Sequence, residues 1–155
     1  MFTDQEENII KKLKKNCAGE DKCQFDIIKK MSSLGIEKPV QKKILNILVE
    51  ENFINEARYA KTYCRGKFRI NKWGKQKIIN SLKIKNISSK NINNGLMEID
   101  KESYISLIND LIFRKNENLN KLDMKLKKEK IASFLLQKGF ESPLVWKSIN
   151  NLIKK

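Results

Sequence analysis

Residues Asp26–Leu48 read DIIKKMSSLGIEKPVQKKILNIL, and two later stretches repeat their arrangement: KIINSLKIKNISSKNINNGLM from Lys77 and KIASFLLQKGFESPLVWKSINNL from Lys130. Counted from Ile27, Ile78 and Ile131, the position four residues on holds Met31, Leu82 and Leu135, and the position eight on holds Gly35, Asn86 and Gly139. The next position is apolar each time, as Ile36, Ile87 and Phe140. This spacing has a mechanical cause. A helix that closes in a Schellman turn needs a residue tolerant of the left-handed conformation just past its end, where Gly serves best and Asn next. An apolar residue then follows and folds back onto the last turn, here onto Met31, Leu82 or Leu135.

Working outward, each turn leads into a second helix. Pro39 suits a first turn, Ser88 or Ser89 can cap, and Ser142 is placed to cap with Pro143 at the first helical position. Apolar residues then recur at helical spacing, as Val40, Ile44, Ile47 and Leu48, as Ile92 and Leu96, and as Val145, Ile149, Leu152 and Ile153. A further helix precedes each pair. The first runs from Asp4 to Lys15 with Ile9, Ile10 and Leu13 on one side, and the second from an Asn55 cap to about Arg69. The third runs from an Asp100 cap towards Asn116. It carries Tyr104, Ile105, Leu107, Ile108, Leu111, Ile112 and Phe113, apolar over so much of its circumference that it must pack on more than one neighbour. Asn16 to Asp21 and Asn116 to Leu122 lack periodicity and read as loops. The expected fold is all-α: three tandem three-helix repeats, at 1–54, 55–99 and 100–155, in an elongated, curved arrangement with consecutive units packed on each other.

Composition narrows the function. Histidine is absent, so no histidine-dependent nucleophile, metal ligand or pH switch is available. Cys17, Cys23 and Cys64 show no C-x-x-C spacing and read as small buried hydrophobes of a reducing cytosol. No glycine-rich phosphate loop, metal-ligand cluster or acid-base pair is present, so neither enzymatic activity, a metal nor a cofactor is expected. No apolar run is long enough to span a bilayer, and the N-terminus is acidic, which points to a cytoplasmic protein without a membrane partner.

The 155 residues carry a formal net charge of +15. The interval 57–97 alone holds eleven Lys and Arg and no Asp or Glu, so the excess is concentrated and would draw an anionic partner to one surface. Within FINEARYAKTYCRGKFRINKWGKQKIINSLKIK, residues Phe53–Lys85, the side chains of Arg58, Lys61, Arg65 and Arg69 fall within an arc of roughly 80° on a helical wheel. Ala57, Tyr59, Ala60, Tyr63, Cys64 and Phe68 take the opposite side. Lys67 breaks the pattern, either because the helix frays after Gly66 or because its long stem snorkels. Lys72, Lys75 and Lys77 extend the basic face, and a lysine run that is merely a solvated surface is the alternative. Trp73 reads as a staple burying the turn between two helices, or as a platform on which an exposed base stacks. Tyr59, Tyr63 and Trp146 read as core.

The block around the first junction resembles one known family. Phe53, Asn55, Glu56, Arg58, Tyr59, Ala60, Tyr63, Arg65, Lys67, Gly74, Ile78 and Leu82 stand where the RecX family has an apolar pair, a cap, Arg-aromatic-Ala, a basic stretch and a Gly before the next helix. Asn55 replaces the family's common Asp. The similarity extends through Leu34, Gly35 and Ile36 in the first repeat and Lys138, Gly139 and Phe140 in the third. RecX proteins regulate the bacterial recombinase RecA. The resemblance implies a monomer that binds in the groove of the RecA filament on single-stranded DNA, with duplex DNA as a second candidate, and that restrains ATP hydrolysis, strand exchange or filament growth. The candidate contacts are Arg58, Lys61, Arg65, Lys67, Arg69, Lys72, Trp73, Lys75 and Lys77. A stand-alone DNA-binding module built from helix-turn-helix-like pairs is the competing reading.

Overall fold

The computed structural model describes residues 2–154, and every regular element among them is helical. The first three helices are α1 (Asp4–Gly19), α2 (Gln24–Ser33) and α3 (Lys38–Glu50). They are followed by α4 (Glu56–Arg69), α5 (Lys75–Ile84) and α6 (Ser89–Leu96), then α7 (Lys101–Glu117), α8 (Met124–Gln137) and α9 (Ser142–Leu152). None is long and apolar enough to cross a membrane.

The three turns expected from the repeat close as that chemistry requires. Gly35, Asn86 and Gly139 have φ of 76°, 60° and 97°, in the left-handed region. The amides of Ile36, Ile87 and Phe140 donate to the carbonyls of Met31, Leu82 and Leu135, each at 3.1 Å. The amides of Gly35, Asn86 and Gly139 donate one residue further on, to Ser32, Lys83 and Leu136. Met31, Leu82 and Leu135 are fully buried.

Caps follow the sequence with one exception. Thr3 and Glu6 form a capping box at α1, while Asn55, Ser88, Asp100 and Asp123 each accept from a first-turn amide. Ser142 does not cap α9. Glu141 occupies the N-cap position without a side-chain bond to the helix, because its carboxylate instead accepts from the Tyr104 hydroxyl. One element border and one side chain also differ from the sequence reading. α1 continues through Asn16 to Gly19, since Cys17 prolongs the buried stripe of Ile10 and Leu13. Phe113, read from sequence as packed, lies on the outer side of α7 and is exposed.

Packing divides the chain unequally. Ile10, Leu13, Cys17, Ile27, Met31, Ile44, Leu48 and Ile54 form a core that belongs to α1–α3 and the link to α4. A second core is continuous through α4–α9 and takes in Cys23, the residue ahead of α2, with Phe25 of α2 packed against it. α4 and α6 meet closely because both are small at the crossing: a methyl added at Gly95 would stand 2.8 Å from the Ala60 carbonyl oxygen. Accessible surface totals 10057 Å², against roughly 8,100 Å² for a compact monomer of this mass, as a slender helical body requires.

Candidate nucleic-acid interface

α4 is held at its start by the Asn55 side chain, which accepts from the Arg58 amide at 2.9 Å, and on its inner side by buried Tyr59, Ala60, Cys64 and Phe68. Ala57 is exposed, outside the inner arc. The outer side is the basic face expected from the sequence, and the structure splits it in two. Arg58 donates from Nε to Asp21 Oδ1 at 2.8 Å and from its terminal nitrogen to the Asn52 and Phe53 carbonyls. The other Asp21 oxygen accepts from the Thr62 hydroxyl. Arg65 donates to Glu98 at 2.6 Å. Both guanidinium groups are thus paired with internal carboxylates, at side chains that stay 39% and 41% exposed. An incoming anion competes with pairs worth about 0–1 kcal/mol at such exposure.

The remaining residues cluster around the turn from α4 to α5. Lys61 and Arg69 are exposed and in no ion pair among the described residues; Arg69 and Lys72 share a depression with Asp100, Glu102 and Asp110. α4 does not fray after Gly66, so Lys67 keeps its inward azimuth and snorkels: its Nζ lies 5.3 Å from the Tyr63 ring centroid and 4.8 Å from that of Trp73. Lys77 Nζ stands 4.6 Å from the same Trp73 centroid. Trp73 packs against the larger core and carries two ammonium groups, an arrangement that favours the staple. Lys72 adopts a φ of 58°, which turns the chain sharply ahead of Trp73. Lys75 lies over the Tyr104 ring at 4.8 Å, and its amide donates to the Tyr104 hydroxyl. Among the family-motif positions, Phe53 packs against the first core and Glu56 accepts from the Gln24 amide across the first junction.

Gly74 explains how this turn is fixed. Its amide donates to the Lys138 carbonyl at 2.7 Å, and the Gln76 amide donates to the Gly139 carbonyl at 2.9 Å. A methyl on Gly74 would fall 2.2 Å from the Gly139 carbonyl carbon, so only glycine permits the two backbones to touch. This contact brings in a residue that the sequence reading left out. Lys138 is half-buried, and its Nζ reaches the Asn71 carbonyl at 3.3 Å. Burial lowers the affinity of its amine for a proton, and the nearby charges of Lys77 and Lys72 lower it further.

The repeat itself carried the signal for Lys138. One position before the left-handed residue stand Leu34, Lys85 and Lys138, and both lysines reach back to the preceding unit. Lys85 does so through Asp26 at 3.0 Å and the Tyr59 hydroxyl at 2.9 Å. In this setting burial works to raise the Asp26 pKa, but the hydrogen bonds from Lys85 and Cys23 and the Lys85 charge outweigh it and leave the carboxyl below its ordinary value.

Comparison with known proteins agrees with this architecture. Residues 55–96 match the sequence model of the second three-helix domain of RecX. The chain is 28% identical over 133 residues to the regulatory protein RecX of Streptococcus agalactiae serotype V, covering 86% of this chain and 51% of that protein. It is 30% identical over 138 residues to the regulatory protein RecX of Clostridium acetobutylicum, covering 86% and 62%. The chain therefore spans between about half and three-fifths of the curated relatives it matches. The crystal structure of RecX from Lactobacillus salivarius superposes with a TM-score of 0.84 at 20% identity, covering 97% of this chain and 98% of that one. A second crystal structure, of a regulatory protein RecX, gives 0.85 at 21% identity, covering 96% and 74%.

Proposed function

We propose that this chain, which belongs to the RecX family, regulates the RecA recombinase by lying on its single-stranded DNA filament and restraining ATP hydrolysis, strand exchange and filament growth. The observation that carries the reading is the lysine cluster at the α4–α5 turn: Lys67, Lys72, Lys75 and Lys77, together with Lys138, are in no ion pair among the described residues. A filament groove exposes phosphates and protein carboxylates along a curved path, and a slender body with positive charge at its middle suits that shape and sign. Lysine is a point charge on a flexible stem and suits attraction that tolerates many registers, whereas guanidinium favours one bidentate partner. The division of the chain at 1–54, 55–99 and 100–155, action as a monomer and residence in the cytoplasm belong to the same proposal.

The test is single-stranded-DNA-dependent ATP hydrolysis by the cognate recombinase. Near-stoichiometric amounts of the chain are expected to suppress it, and changing Lys67, Lys72 and Lys77 together to Gln is expected to raise the amount required by about tenfold or more. Hydrolysis that continues unchanged while the chain binds naked DNA at moderate salt would instead establish a stand-alone DNA-binding module. Reversal of Arg58 and Arg65 to Glu, the variant the sequence suggests, would set new carboxylates against Asp21 and Glu98 and so would report on internal pairing.

A further inference from the structure

The junction of the second and third units assembles cations from both sides of a rigid contact. The paired bonds from Gly74 to Lys138 and from Gln76 to Gly139 lock the two turns together. A methyl at Gly139 would lie 2.3 Å from Lys77 Cβ, so Lys77 is set directly against the turn that carries Lys138. Lys138 reaches across to Asn71, the residue before Lys72. Its stem passes Phe134, with Nζ 5.8 Å from that ring centroid. Lys77 and Lys138 are thereby gathered by backbone geometry and Lys72 adjoins them beside Asn71, with no carboxylate in an ion pair with any of the three among the described residues; Lys72 also lines the depression that holds Asp100, Glu102 and Asp110.

We infer that Lys138 joins Lys72 and Lys77 in one composite phosphate site across this junction, and that its ligand is a phosphodiester of a nucleic-acid strand. Like charges held together repel, and an anion placed among them removes that repulsion. Burial is the main cause that lowers the Lys138 proton affinity, and the charges of Lys77 and Lys72 add to it, as repulsion at this place requires. Lysine binds phosphate as a compact point charge that fixes no orientation of the anion, which suits successive phosphodiesters of a strand held in many registers. In the same unit the carboxylates that come within reach are taken by Arg58, Arg65 and Lys85, and none of them is paired with Lys72 or Lys77. The site deepens the reading given above and rests on it in taking nucleic acid as the partner.

Binding of a fluorescent oligo-dT to the full chain, titrated from low to moderate NaCl, tests the assignment. Lys138→Gln removes the charge, keeps the first two methylenes of the stem and leaves the backbone contact untouched, and far-ultraviolet circular dichroism checks that it folds. The slope of log K against log salt is expected to shrink by about 0.7, the value for one phosphate contact to a single strand. Lys43→Gln, the same change of charge on the exposed part of α3, is expected to leave the slope unaltered. Equal slopes for the two variants, no change in Lys138→Gln, or no measurable binding of the oligonucleotide would overturn the site. So would a loss of tripolyphosphate binding in Lys138→Gln with the DNA slope intact, which assigns a free polyphosphate, or competition by polyglutamate equal to that of oligo-dT, which assigns a carboxylate surface. No recombinase enters this titration. A reduced slope in a chain that fails to inhibit the filament therefore retains the site while removing the broader function.

Discussion

Replacing Gly74 by Ala is the sharpest test of how the second and third units are joined. The added methyl would stand 2.2 Å from the Gly139 carbonyl carbon, 2.3 Å from the Phe140 nitrogen and 2.4 Å from the Gly139 oxygen. All three are backbone atoms, so no side chain can swing aside. The turns must separate, which lengthens or breaks the bonds of 2.7 and 2.9 Å between them. Each is worth about 0.5–1.5 kcal/mol net, and overpacking adds about 1–3 kcal/mol, for a total loss of about 2–6 kcal/mol. That is a large share of the roughly 5–15 kcal/mol that holds a domain together, and would lower the melting temperature by about 4–24 °C. Gly66→Ala is the counterpart: Gly66 is helical, nothing lies within 4 Å of the place its new methyl would take, and the change should stabilise by about 0.5–1 kcal/mol. Urea unfolding followed by circular dichroism, with calorimetry, measures both. A Gly74→Ala variant within about 0.5 kcal/mol of the parent would refute the close backbone contact and the lysine site built on it.

Two further outcomes concern the junction of the first and second units, where ion pairs replace the backbone contact. Asp21→Asn should weaken the hold on Arg58 by about 0.5–1 kcal/mol at low salt, a half-exposed pair being heavily screened, and the difference from the parent should vanish near 0.5 M NaCl in urea titrations. Asp26 titrates below its ordinary 3.8 in the folded chain, so the stability it contributes is complete above that value and is lost as pH falls through the lowered one. The urea midpoint of the parent should therefore drop over that acid range, and Asp26→Asn should remove that part of the drop; an identical acid profile in the variant would show that the Lys85 pair contributes nothing.

The three turns could be read directly because their requirement is local. A left-handed residue, the apolar residue after it and the apolar residue five positions before that all lie within one short stretch, and three copies agree. The caps were legible for the same reason, and the exception is instructive. Ser142 has the right chemistry for a cap, but the chain before α9 is positioned by Glu141 reaching Tyr104, a residue 37 positions away in another helix. The length of α1 turned on a single buried Cys17 inside a stretch otherwise polar, where composition outweighed periodicity in the reading. Phe113 was misplaced because a helix apolar over most of its surface does not say which side its neighbours leave open.

The basic face shows most clearly why a charge pattern is not yet a site. Between residues 57 and 97 the sequence has no acid, and a count confined to that interval concludes that its cations are all available. The neutralising groups sit just outside it: Glu98 one residue beyond one end, and Asp21 and Asp26 in the preceding unit. Folding brings them onto Arg58, Arg65 and Lys85: Asp21 and Asp26 take cations at the first junction, Glu98 takes one within the second unit, and those at the α4–α5 turn are left. The same folding adds Lys138, 61 positions from Lys77, to the group that is left. Which cations are consumed and which remain is thus decided by tertiary packing, within a unit as well as between units. The repeat period, which places Lys85 and Lys138 at equivalent positions facing back along the chain, is the one part of that decision the sequence already contained.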